Sequence, residues 1–191
     1  KLKNNFANYL NTKNLAIVSS GTTAEEVLFS ILKLQNKNKY EVITTPYSFI
    51  SSSNAIIRSG LKPVFVDIDK NLSLNVELVE KNINKKTLAI LLVDVYGIPN
   101  NYRSLQNIAK KYSIPIVCDK SHSFGVKSNN KSSLVQSNLS FASLHATKLM
   151  SALEGGIIYS FSKKNLDKVM NYSNFGFGNK QTSFIGTNAK I

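Results

Sequence analysis

The strongest constraint on the fold of this chain is an alternation. Short runs rich in β-branched residues recur at 15–20, 41–45, 63–67, 88–93 and 115–118, and most are followed by a stretch with helical spacing. Parallel strands need a long crossover between them, and a helix supplies it, so this order predicts βαβ units. The run LAILLV at 88–93 has no polar face, as suits a strand covered on both sides. The expected class is therefore α/β, with helices layered on both faces of a mainly parallel central sheet (α/β/α).

Helical spacing is clearest at 22–34, where Ala24, Val27, Leu28, Ile31 and Leu32 share one face, and at 102–112, with Leu105, Ile108 and Ala109. A shorter candidate covers 76–83. Beyond a polar loop at 127–133 the pattern changes: a strand at 139–144, the segment HATKLMSALEGG, a strand at 156–161, and a helix at 163–172. Residues 174–191 are rich in Gly and Asn without a period and read as an irregular loop.

Composition bounds the setting. With 191 residues, 42% hydrophobic and 18% charged, residues 1–191 suit one globular domain with a substantial core. The single cysteine, Cys118, excludes an intrachain disulfide, and no Cys/His cluster offers a structural zinc site. A reducing, cytoplasmic setting is expected. The first residues lack the apolar core of a signal peptide and no apolar run is long enough to span a bilayer, so no membrane partner is expected. The formal charge of +13 comes from scattered lysines that read as a solvated basic face. That distribution argues against nucleic acid as a partner, while a nucleotide diphosphate would be electrostatically welcome.

Ligands of open parallel sheets bind beyond the carboxyl ends of the strands, so polar residues there carry the most weight. Four segments qualify. Ser19-Ser20-Gly21-Thr22-Thr23 leaves a strand and opens a helix, where free N–H groups and the dipole favour a phosphate, although Ser and Thr also serve there as ordinary N-caps. Phe49, just past a strand end, is placed to stack on a planar ligand or simply to pack. Asp119 and His122 follow the fifth strand; a carboxylate there is equally a helix cap, and a histidine is more often a satisfied, partly buried one than a catalytic one. Lys148 follows Ser143 and His145, and a lysine leaving a buried strand among small residues can become a nucleophile, though most lysines are merely solvated.

The order and spacing of these segments are what is specific. SSGTTA, EVITTPYSFISSSNAI, LKPVFVDID, the Asp119 segment, SLHATKLMSALEGG, NFGF and GTNAK together resemble the DegT/DnrJ/EryC1/StrS family of sugar aminotransferases, which depend on pyridoxal 5′-phosphate (PLP) and have fold type I. The resemblance implies that Lys148 forms the Schiff base and that Asp119 pairs with the pyridine nitrogen. It implies that Phe49 stacks on the ring, that His122 lies close to it, and that Gly21, Thr22 and Ser143 cradle the phosphate. Asn188 would reach across a homodimer to the partner's phosphate. Glu154 matches a family turn with no chemistry assigned, and His145 would approach substrate or pack.

By the same resemblance, an amino donor, glutamate, would pass its amino group through the cofactor to a keto group of a dTDP- or UDP-linked deoxysugar, in the biosynthesis of lipopolysaccharide or another cell-surface glycoconjugate. The family's dehydratase branch has histidine in place of the lysine, so Lys148 favours transamination. The competing expectation is a PLP-binding regulatory protein that keeps the fold without turnover. A Rossmann-type domain is disfavoured, since no strand is followed by GxGxxG. The family's small C-terminal domain is expected to be absent from these 191 residues.

Overall fold

The computed structural model describes residues 1–128, 130–178 and 184–190. Helix α1 (Leu2–Tyr9) leads into β1 (Leu15–Val18), α2 (Gly21–Gln35), β2 (Glu41–Thr44), α3 (Ser51–Arg58), β3 (Lys62–Phe65), α4 (Val76–Asn82), β4 (Thr87–Val93), α5 (Tyr102–Lys111) and β5 (Ile116–Asp119). A small hairpin of β6 (Lys127–Ser128) and β7 (Lys131–Ser132) follows, then β8 (Leu139–Ser143), β9 (Gly156–Ser160) and α6 (Lys163–Tyr172).

Among the described residues the main sheet has seven strands in the order β1-β9-β8-β5-β4-β2-β3. All adjacent pairs from β8 to β3 are parallel, and only β9 runs against its neighbours, β1 and β8. The sheet is thus mainly parallel, as the alternation of elements requires. Side-chain parity divides its two faces. Val42, Leu91, Val93, Val117 and Phe141 pack with α2, α3 and α6. On the opposite face Ile43, Ile90, Leu92, Ile116 and Cys118 pack under α4 and α5, and α1 covers the β1, β8 and β9 end through Phe6. This gives the expected three layers.

Most expected elements differ only at their ends, where capping decides the boundary. Ser20 accepts from the Thr23 N–H at 3.0 Å and starts α2 one residue early; Asn75, Asn101 and Ser162 cap α4, α5 and α6 in the same way. The polar loop at 127–133 contains the β6–β7 ladder, Lys127 opposite Ser132 and Ser128 opposite Lys131. Helices α1 and α3 were not foreseen. In α3 only Ser52, Ala55 and Ile56 are buried, a stripe too narrow to stand out in a run of three serines.

Two glycines let α2 begin tight against the sheet. A Cβ on Gly21 would lie 2.7 Å from the Ser143 Cβ and 2.9 Å from its Cα, and one on Gly156 would lie 2.2 Å from the Ser20 carbonyl oxygen. The start of α2 is thereby pressed between the end of β8 and the start of β9.

Candidate active site

Strands β1, β2, β4, β5 and β8 all end at one edge of the sheet, and a cavity of about 680 Å³ opens beyond it. Gly21 and Thr22 line it from the first turn of α2, where backbone N–H groups have no partner within the helix and the dipole is positive. The caution over N-caps applies to Ser20, which is the cap, and not to the two residues after it. Ser143, the last residue of β8, closes this corner; its own N–H donates to the Ser121 Oγ at 2.9 Å, tying the ends of β8 and β5 together.

Asp119 is the last residue of β5 and caps no helix. It is only 9% exposed, and its Oδ1 accepts from the Ser121 N–H at 2.8 Å. Burial pushes its carboxyl above the usual range, while the Ser121 hydrogen bonds and the nearby positive charge of Lys148 pull it back. His122 is exposed on the cavity wall, not partly buried, and its Nδ1 accepts from the Tyr96 N–H at 3.2 Å. An Nδ1 that accepts leaves the ring proton on Nε2, so His122 offers a donor there.

Phe49 stands on the segment entering α3, lines the cavity and is 70% exposed, so it is no packing residue. Lys148 lies in the loop joining β8 to β9. The base of that loop is closed by Leu144 N–H to the Gly155 carbonyl and Ala152 N–H to the Leu144 carbonyl, at 2.8 and 2.9 Å. Lys148 donates its own N–H to the His145 carbonyl at 2.9 Å. His145 also lines the cavity, its Nδ1 2.9 Å from the Thr147 Oγ1 and its Nε2 3.5 Å from Glu154 Oε1.

Seven of the eight residues singled out from the sequence, Gly21, Thr22, Phe49, Asp119, His122, Ser143 and Lys148, therefore line one cavity. Asn188 does not. It is exposed, bridges to Asn174, and is followed by a buried Ala189 whose carbonyl accepts from the Ser19 N–H at 2.9 Å. Sequence reasoning passed over Tyr47 and Tyr96, which meet edge to face with ring centroids 6.3 Å apart at the cavity wall. Their hydrogen bond is the main cause holding the Tyr47 phenol above its ordinary range. Tyr96 sits beyond the carboxyl end of β4, and the rule applied to the other strand ends would have found it.

Known proteins resemble this chain in sequence and fold. The chain is 37% identical over 193 residues to a dTDP-4-amino-4,6-dideoxy-D-glucose transaminase of Shigella dysenteriae, covering 100% of this chain and 52% of that protein. It is 30% identical over 177 residues to a GDP-perosamine synthase of Vibrio cholerae, covering 92% of this chain and 48% of the relative. Among solved structures, Helicobacter pylori PseC, an aminotransferase involved in the biosynthesis of pseudoaminic acid, superposes with a TM-score of 0.91 at 28% identity, over 99% of this chain and 52% of that one. The chain thus spans about half the length of these relatives. The model of the DegT/DnrJ/EryC1/StrS aminotransferase family matches residues 1–191, and the chain belongs to that family.

Proposed function

We propose that the intact protein is a PLP-dependent aminotransferase that moves an amino group from an amino acid, glutamate, to the keto group of a dTDP- or UDP-linked keto-deoxysugar. These 191 residues would be its cofactor-binding domain, working as a homodimer in the cytoplasm on the route to lipopolysaccharide or another glycoconjugate. The observation that carries this reading is the meeting in one cavity of a lysine, a buried acid, an exposed aromatic ring and an open helix N-terminus.

The donor set fits PLP. The close approach of Gly21 to Ser143 leaves the Gly21 and Thr22 N–H groups and the Ser143 hydroxyl at one corner, a cradle for the phosphate that a Cβ at position 21 would fill. Asp119, buried at the cavity floor, is the acid to keep a proton on the pyridine nitrogen; a cation there would in turn offset the burial that raises its carboxyl. Phe49 would cover one face of the ring, and His122 Nε2–H would donate to the ring oxygen. When bound, PLP supplies the electron sink for the pair left as the substrate carbon loses its proton.

Lys148 then has two tasks. Its Nζ is the covalent anchor, and once the donor displaces it the free amine takes the proton from the donor's α-carbon and returns one in the second half-reaction. His145, Thr147 and Glu154 fix the loop from which Lys148 acts. Neither Arg58 nor Arg103 lines the cavity; Asn188 would reach across the homodimer to the cofactor phosphate of the partner's site.

The test is spectroscopic. The intact protein loaded with PLP should absorb in the visible and bleach on adding glutamate, and a dTDP- or UDP-linked keto sugar should restore the colour. A visible band that no amino donor moves would instead identify a binding protein without turnover. Borohydride reduction and peptide mapping should label Lys148, and label on another lysine would overturn the assignment.

A further inference from the structure

One buried ion pair beside the cavity has no part in the chemistry above. Lys120 Nζ lies 2.6 Å from Asp94 Oδ2, with side chains 8% and 0% exposed. The pair is densely hydrogen-bonded: Ser123 Oγ donates to the same Oδ2 at 2.9 Å, and the Asn100 backbone N–H and Nδ2 both donate to Oδ1 at 3.1 Å. Asn100 is held in turn, giving its Nδ2 to the Val93 carbonyl and accepting at Oδ1 from the Leu74 N–H.

Stability alone is a poor reason for such a pair. Taking two charges out of water costs several kcal/mol per ion, and well-packed apolar replacements of equal volume are often neutral or stabilising. What an ion pair adds is a single geometry. Asp94 directly follows β4 and Lys120 directly follows β5, neighbouring parallel strands, so the pair staples together the two loops that leave them. Past Asp94 the chain makes a 3-10 turn, Val95–Gly97, with Tyr96 in the left-handed region at φ 55°. Past Lys120 comes His122. The loops touch again at their tips, where the Tyr96 N–H donates to His122 Nδ1, and where a Cβ on Gly97 would lie 3.0 Å from the His122 carbonyl oxygen.

We infer that the Asp94–Lys120 pair is a positioning device for the cavity: it holds the Val95–Gly97 turn so that the Tyr96 amide keeps His122 in one orientation, with its proton on Nε2. Asp94 and Lys120 touch no ligand and act through His122. The ligand end of this inference rests on the cofactor reading above; the loop geometry does not.

The test uses the intact protein carrying Asp94→Asn with Lys120→Met, a neutral pair of similar volume that leaves no charge buried alone. Without cofactor, the Tyr96 amide should exchange at least about tenfold faster than in the native protein, the loss of one hydrogen bond, and the imidazole 15N signals should show the Nδ1 of His122 no longer held as an acceptor. With PLP, affinity should fall about tenfold, and adding His122→Ala should cost no more than His122→Ala alone, because the pair works through that ring. Additive losses, or a folded double variant with the Tyr96 amide as protected as before, would overturn the inference. So would a double variant that cannot fold, which would assign the pair to the core. If native protein binds no PLP yet the amide and imidazole respond as stated, the cofactor reading falls and the positioning role stands.

Discussion

Glu25 makes a stability prediction that can be worked from the structure. It lies on the buried face of α2, fully buried, and neither carboxyl oxygen has a hydrogen-bond partner among the described residues. Burial raises its pKa well above the usual 4.5, with the charges of Asp119 and Glu26 adding to the shift. Two costs follow. An unpaired buried polar group costs about 1–3 kcal/mol whatever the pH. Between 4.5 and the raised folded value, the folded protein also keeps a proton that the unfolded chain has released, so stability falls as pH rises, by about 1.4 kcal/mol per pH unit.

Glu25→Leu removes both costs at nearly constant volume. Urea denaturation of the cofactor-free intact protein at several pH values between about 4.5 and 7 should show the variant more stable by about 1–3 kcal/mol at the acid end. The advantage should widen toward neutrality at up to about 1.4 kcal/mol per pH unit. Glu25→Gln should remove the widening while keeping most of the constant cost, since its amide is equally without a partner. Asp119 and Glu25 interact, so repeating the comparison in an Asp119→Asn background isolates the Glu25 contribution. Adding Asp119→Asn should lower the pH at which the widening stops, because one of the charges that raise Glu25 is gone. A stability difference that is flat from acid to neutral would refute the claim that Glu25 is folded with its proton on.

Three further outcomes bear on the site. Lys148→Ala should abolish borohydride labelling and lower the transamination rate by at least about 10²-fold, measured with the native variant as reference, as expected for loss of a proton-transferring group. Gly21→Ala forces a Cβ to within 2.7 Å of the Ser143 Cβ, so α2 must shift; PLP titration should show affinity reduced about tenfold or more, and urea denaturation a loss of about 1–3 kcal/mol. Asp119→Asn should leave the fold intact, since Asn can still accept from Ser121, while kcat drops by about 10²–10³-fold through loss of the charge proposed to face the pyridine nitrogen.

Local pattern in the sequence carried much of this molecule. β-Branched and continuous apolar runs located the main-sheet strands, helical spacing located α2, α4, α5 and α6, and position at strand ends pointed to Gly21, Thr22, Phe49, Asp119, His122, Ser143 and Lys148. These signals are local, because a side chain's face is set by its own strand or helix. The features that escaped are relations between distant elements. The run at Gly156–Ser160 reads the same in either direction, and only its place between β1 and β8 makes it antiparallel. Asp94 and Lys120 become partners because β4 and β5 are neighbours, and Glu25 becomes a buried, unpaired acid because α2 turns that face to the core. The sequence by itself determined which residues alternate, where strands end and which chemical groups stand at those ends. The tertiary structure alone decided which ends meet, since strand order and helix docking set the distances, and hence the electrostatics, of groups far apart in the chain.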